Sequence, residues 1–298
     1  YGIFKSEVTF GYTQTNTSVS GGDMSQQRPV YWNVLNTPGQ VPLSHYKDIE
    51  NNKFAALDGY YNAYYPNPYW QLEHSRINTK RNDVLGSLNL TLKPVKWLEL
   101  TNRTGLVYQL SNQNSFRDEA IYSSYSASDP WNAGTIAANS PFAGRANDNM
   151  YSSIILTNDF MAISDKTFGD IKMKLIGGVS LYTRTDNYMS ETSNSLVIPE
   201  FYNITNRVGE PGVAQTLDQR SSIGVFGDAT FTYRDYATIH MSVRNDWDSR
   251  LVKENRSFLY PAVDASLVLS DMIAALKGNT VLSFLKVRGG WSKTGQVS

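Results

Sequence analysis

The chain has 298 residues, of which 27 are basic and 27 acidic, so its formal net charge is zero. That balance excludes the strong one-signed field with which proteins hold nucleic acid or acidic ligands. Cysteine is absent, which excludes disulfides and thiol chemistry, and no apolar run approaches the roughly 18 residues of a membrane-spanning helix.

Alternation of apolar and polar residues marks a β-strand with two unlike faces, and it recurs along the whole chain. A first strand is predicted at residues 7–15. The next alternation sets Val84, Gly86, Leu88, Leu90 and Leu92 against Leu85, Ser87, Asn89, Thr91 and Lys93. After a turn at residues 94–96 the chain returns with Leu98, Leu100, Leu106, Tyr108 and Leu110 on the apolar side, a side that Asn102 and Thr104 interrupt. A further hairpin is predicted from residues 153–162, through a turn at 164–169, into 171–184. Its first strand is less clean, because Ile155 and Met161 sit on the polar side.

The longest and cleanest pair spans residues 221–233 and 237–250. Ile223, Val225, Ala229, Phe231 and Tyr233 share one face, as do Ala237, Ile239, Met241, Val243 and Trp247. The opposite faces carry Asp228, Thr230 and Thr232, and His240, Arg244, Asp246 and Asp248. Strands at residues 258–270 and 283–293 bring the expected number to roughly nine. Each hairpin strand exceeds the about five to six residues usual in soluble sheets and reaches the about 9–11 that cross a bilayer when tilted.

The predicted turns at one end are short, whereas the connections at the other, residues 17–78, 112–150 and 187–220, are long. Soluble domains seldom carry several structureless loops beyond about 15 residues. Outer-membrane barrels do so routinely. Trp97, Tyr233, Tyr236, Trp247 and Tyr260 fall near strand ends, as two aromatic girdles would, although aromatics favour strands in any case. The expected fold is therefore all-β: an antiparallel transmembrane β-barrel, partial, with long extracellular loops. An open edge in lipid leaves backbone groups unsatisfied, so these strands are expected to be the middle of a larger barrel.

Catalytic patterns are weak. Ser44-His45-Tyr46-Lys47 and Lys293-Thr294-Gly295 match two elements of penicillin-recognising enzymes, but the third element is missing and the first lies in a predicted loop. Asp246 and Asp248 share a face as a glycosidase pair might be sought, yet Arg244 and Arg250 beside them favour an ion-pair cluster. His45, His74 and His240 have no metal-ligand spacing. Asn16, Asn89, Asn102, Asn203 and Asn255 sit in N-x-S/T sequons, which strands would partly hide. No catalytic residue, metal site or cofactor is expected.

Several stretches carry a specific resemblance. Leu35-Asn36-Thr37-Pro38-Gly39-Gln40-Val41-Pro42-Leu43, Asn67-Pro68-Tyr69-Trp70 and Asn78-Thr79-Lys80-Arg81 come first. Lys166-Thr167-Phe168-Gly169-Asp170, Val243-Arg244-Asn245-Asp246, Tyr260-Pro261-Ala262-Val263 and Ser283-Phe284-Leu285-Lys286-Val287-Arg288 follow. In this order they resemble SusC/RagA-like TonB-dependent outer-membrane transporters; only Trp247-Asp248 departs, from an expected small Gly-Ser-like pair.

The resemblance implies a plugged barrel of about 22 strands, of which residues 1–298 would be the central portion. The plug, the TonB-contacting segment and the closing strands would then lie outside this chain. It also implies a bacterial outer-membrane importer of oligosaccharides or peptides, energised by the TonB complex and capped by a SusD-like surface lipoprotein. A passive porin and a soluble β-rich glycan-active enzyme are the alternatives.

Two groups of residues are candidates for contact with cargo, partner or plug. The first is the aromatic loop Tyr60, Tyr61, Tyr64, Tyr65, Tyr69 and Trp70, whose rings combine apolar area with polar tips; packing of the loop against its neighbours or against a capping lipoprotein is the favoured account of them over direct contact with cargo. The second is the set of charges expected on the lumenal face, Arg103, Lys172, Lys174, Arg244 and Asp246.

Overall fold

Every segment with period-two alternation forms a strand. The computed structural model describes residues 2–21, 30–55, 57, 60–61, 66–121, 141–273, 276, 282 and 284–295. Among these, one antiparallel sheet contains β1 (Phe4–Ser20), β2 (Ser75–Val95), β3 (Leu98–Arg117), β6 (Arg145–Phe168), β7 (Ile171–Ser193), β8 (Gly212–Tyr233), β9 (Ala237–Asp248), β10 (Ser257–Val268) and β11 (Lys286–Ser292). Spatial order follows chain order, so each strand pairs with its successor. The sheet is not closed among the described residues. A two-residue ladder, β4 (Ala120–Ile121) with β5 (Pro141–Phe142), lies in the connection between β3 and β6.

Register sorts the side chains into two faces, because residues directly opposite on antiparallel strands point the same way. One row aligns Phe160 with Val179, Val179 with Val225, and Val225 with Asn245. The next aligns Asp159 with Ser180, Ser180 with Gly224, and Gly224 with Asp246. The apolar face is uncovered: Val8, Phe10, Ile223, Val243 and many like them remain exposed. A soluble sheet would bury such a face against a second layer. Here the buried apolar residues are Ala55, Leu57, Tyr60, Ala120, Ala146 and Leu196, and most lie in the connections or at the strand ends that meet them, away from the tight turns.

The interruptions of the alternation have physical causes. Asn102 and Thr104 share the apolar face with Asn158, which lies directly opposite Thr104. The three close a ring: Asn158 Nδ2 donates to Thr104 Oγ1 (2.7 Å), Asn102 Nδ2 to Asn158 Oδ1 (3.2 Å) and Thr104 Oγ1 to Asn102 Oδ1 (3.2 Å). On the other face Ile155 sits opposite Val107, which sits opposite Leu85. An apolar patch thus crosses three strands of the polar face. Tyr260 corrects the girdle expectation, because it lies opposite Arg244 on the polar face; Tyr233 and Trp247 are on the apolar face as a girdle requires.

Tight turns join β2 to β3, β6 to β7 and β8 to β9. At the last, Arg234 and Asp235 both have positive φ (46° and 64°) and Tyr236 N donates to Tyr233 O, as a type I′ turn needs. Two expectations about connections are corrected. The long ones are shorter than predicted, since β1, β3 and β7 run to Ser20, Arg117 and Ser193 and their partners begin correspondingly early. The strand expected at 258–270 ends at Val268, where Leu269–Met272 turns helical, and the connection to β11 is a longer excursion at the tight-turn end.

Candidate functional site

The connection from β1 to β2 builds a small domain of its own from polar side chains. Pro68 opens helix α2 (Pro68–His74), and Asn67 caps it by accepting from Tyr69 N (3.1 Å). The same buried Asn67 donates to Tyr46 O (2.9 Å) and Ala55 O (2.6 Å), tying three turns together. From helix α1 (Val30–Leu35), Asn33 donates to Gln71 Oε1 (2.9 Å), and Gln71 donates to Gly21 O (2.9 Å) at the end of β1. Buried amides that bond across three turns in this way fix the loop fold more tightly than apolar packing alone, although the Asn33 carboxamide oxygen is left without a partner.

Among the predicted aromatic residues, Tyr60 is buried, with its hydroxyl 2.5 Å from Thr37 Oγ1 and its ring edge-on to Tyr46 and Tyr61. Burial pushes its phenol pKa above the ordinary value. Tyr61 donates to Asn36 O (2.7 Å). Trp70 stacks on His74 at 4.2 Å and packs against Leu57 and Ala120. Tyr69 lines an open cavity. Tyr64 and Tyr65 lie outside the described residues.

One carboxylate joins three connections. Asp118, buried just after β3, accepts from His74 Nδ1 (2.6 Å) at the end of α2 and from the hydroxyl of Tyr202 in the β7–β8 connection. Asp118 N also donates to His74 O (2.9 Å), and Phe116 stacks on Tyr202 at 3.8 Å. Burial first, and then the Asp118 carboxylate, push the Tyr202 phenol well above its ordinary range. The β7–β8 connection is itself organised by Asn206, whose carboxamide bonds to the backbone of Val197, Ile198 and Phe201. A cavity of about 840 Å³ opens between these connections, bounded by residues 47–50, by Tyr69, Glu73 and His74, and by Glu200 and Tyr202.

The predicted charged residues all lie on the polar face. Arg103 stands between Asn89 and Asp159, and Lys174 between Asp165 and Thr230. Lys172 reaches Asp235 in the neighbouring turn (2.6 Å). Arg244 Nε bonds both oxygens of Asp246 (2.8 and 3.0 Å), lying across Gly224 and over the ring of Phe226 (5.6 Å). Arg250 holds Asp248 in the same manner (2.9 and 3.0 Å). Each of these two carboxylates is therefore committed to its own guanidinium, which removes the glycosidase geometry and leaves the ion-pair cluster. Ser44 lies in a 3-10 helix of four residues, too short to present a nucleophile on a helix.

Sequence reasoning missed His240 as a member of a group. Its Nδ1 lies 2.6 Å from Asp264 and its Nε2 2.5 Å from Asp228, so one imidazole links β8, β9 and β10 across the polar face. The three residues are far apart in sequence, and only the register brings them together. Among the described residues no group of three or more His, Cys, Asp or Glu is placed to hold a metal ion.

No family model matches the chain, and no curated protein is similar to it. Solved structures do match. The RagAB peptide transporter superposes with a TM-score of 0.64 over 76% of this chain and 24% of that one, at 14% identity. The RagAB peptide importer in its closed-closed and open-open states gives 0.64 and 0.61, with the same coverage and identity. A siderophore receptor, PiuA from Acinetobacter baumannii, covers 98% of this chain and 36% of its own at 10% identity, but its TM-score of 0.41 lends no weight. The likeness is one of fold: the chain is all-β, and its nine-stranded antiparallel sheet superposes on part of the RagAB structures, about a quarter of their chain.

Proposed function

We propose that the chain is the central portion of the barrel of an outer-membrane importer, energised through TonB, that takes up oligosaccharides or peptides with a SusD-like surface lipoprotein over its mouth. The observation that carries this reading is a sheet of nine antiparallel strands, eight of them 12 residues or longer, whose apolar face is bare and whose polar face is laced with ion pairs, on the fold of part of a transporter. Lipid is the solvent that stabilises the first face, and a lumen or a plug the environment that suits the second. On this reading the long connections, opposite the tight turns, would face the surface partner. No chemical step is part of this reading; the plug and the TonB-contacting segment would belong to parts of a longer protein outside these residues.

The test is extraction of the native protein. It is expected in the outer-membrane fraction, soluble only in detergent, as a polypeptide much longer than 298 residues with a lipoprotein that co-purifies. Recovery in the soluble fraction would overturn the membrane reading, and an open channel without a plug would make it a passive porin.

The same reading sets the sign of a mutational effect on the apolar face. A polar ring facing lipid is satisfied only internally, so Asn158→Leu alone strands the Asn102 amide and gains little. Converting Asn102→Leu, Thr104→Val and Asn158→Leu together removes the whole ring, and the sheet is expected to gain about 2 kcal/mol or more in a bilayer. Urea unfolding from lipid vesicles reads the difference.

A further inference from the structure

We propose that a groove on the apolar side of β6, β7 and β8 holds one anionic phospholipid of the periplasmic leaflet, of the phosphatidylglycerol class; this deepens the reading of the chain as an outer-membrane barrel and rests on it. The groove has a volume of about 560 Å³, within the range of small-molecule sites. Register puts Ala162 opposite Gly177 and Gly177 opposite Gly227, and these three form its floor. A Cβ at Gly177 would meet nothing within 4 Å, while Leu175 and Met241 rise beside the floor in the next row. Water does not fill such a space inside a bilayer, and an empty void forfeits contacts, so an acyl chain is the occupant the surroundings supply.

Two polar residues lead from the groove to the membrane surface. Toward the tight turns, the same face of β6 carries Ser164 and then Lys166, opposite Leu175 and Met173. Ser164 lines the groove, and its hydroxyl has no hydrogen-bond partner among the described residues. A hydroxyl turned toward lipid is costly unless a lipid oxygen accepts from it. Lys166 Nζ lies over the rings of Trp97 (5.2 Å) and Phe168 (4.9 Å). The rings hold the ammonium near the turns without cancelling its charge, and it has no ion pair among the described residues. Short turns of such barrels face the periplasm.

Successive residues on one strand face are about 7 Å apart. Ammonium, hydroxyl and groove therefore descend from the interface in the order in which a glycerophospholipid presents phosphate, ester carbonyl and acyl chain. Charge then chooses phosphatidylglycerol over phosphatidylethanolamine. The ammonium of the latter would stand beside that of Lys166, and the carboxylate of the adjoining turn, Asp170, is already held by Arg234 (2.7 Å).

The test is native mass spectrometry of the full-length transporter with its natural partners, purified in detergent and titrated with phosphatidylglycerol, phosphatidylethanolamine and diacylglycerol of identical chains. Phosphatidylglycerol is expected to bind about fivefold tighter than phosphatidylethanolamine, the preference one basic residue at a bilayer surface provides. Diacylglycerol should bind weakest. Lys166→Gln should abolish the preference, and Lys166→Arg should keep it; the side chain is exposed, so neither change disturbs the sheet. Gly177→Leu puts a side chain into the groove where nothing stands in its way, and should weaken both phospholipids about tenfold. Equal binding of the three lipids, a preference that survives Lys166→Gln, or parental binding in Gly177→Leu would overturn the proposal and leave unselective annular lipid. Lipid binding needs no energy input. A protein that binds phosphatidylglycerol as expected yet takes up nothing through TonB would overturn only the importer reading, and an importer without the preference only this site.

Discussion

Gly178→Val is expected to destabilise the sheet by about 2–4 kcal/mol, whereas Gly177→Val, one residue away, is expected to be neutral or stabilising. Gly178 lies on the polar face of β7 directly opposite Phe226. A Cβ there would stand 2.5 Å from Phe226 Cζ and 2.7 Å from the backbone oxygen of Phe160. The ring can swing away but the carbonyl cannot, because it belongs to the neighbouring strand. Displacing Phe226 also removes the surface on which the Arg244 guanidinium lies, and with it the support of the Arg244–Asp246 pair.

Gly177 points to the other face, and a Cβ there meets nothing within 4 Å. Valine at that position adds apolar surface and strand propensity without a clash. Urea midpoints in lipid vesicles for the two variants give the comparison directly. Equal effects would mean that the two faces are not distinguished in the way the register describes.

This contrast shows what was legible in the sequence. Alternation located all nine strands and assigned most residues to a face, because one face is almost uniformly apolar. It failed where polarity stops discriminating. β6, expected at residues 153–162, runs Arg145–Phe168, since Arg145, Asn147, Asn149 and their neighbours are polar on both faces beyond the apolar band. β7 extends from an expected end at 184 to Ser193 for the same reason.

Helix α2 was missed although Asn67-Pro68 is an N-cap signal, because seven residues are too few to establish a helical period. Ile155 and Asn102 looked like errors in the pattern, and each is explained only by cross-strand neighbours, Val107 in one case and Asn158 in the other. The groups that give the chain its chemical character, Asp228–His240–Asp264 and His74–Asp118–Tyr202, join residues from different elements. No spacing rule reaches across such distances; register and loop packing decide them.

Asp118→Ala should separate the three connections while leaving the barrel strands intact. The carboxylate accepts two bonds in a buried setting, and each hydrogen bond to a charged group is worth about 1.5–3 kcal/mol. Its loss leaves the His74 ring and the Tyr202 hydroxyl without their acceptor. Hydrogen exchange is expected to rise by more than about tenfold at residues 196–208 and at the end of α2, with no change in β7 or β8. Asp118→Asn, whose single carbonyl oxygen replaces two acceptors, should fall between parent and alanine.

The sign of the pH dependence follows from the tyrosine. Burial and Asp118 raise the Tyr202 phenol above its ordinary 10.0, so its contribution is complete throughout neutral pH. It is lost as alkali carries the solution past 10 toward the raised folded value. Unchanged protection in Asp118→Ala would show that the connections are held by packing of Trp70, Phe116 and Leu57 alone.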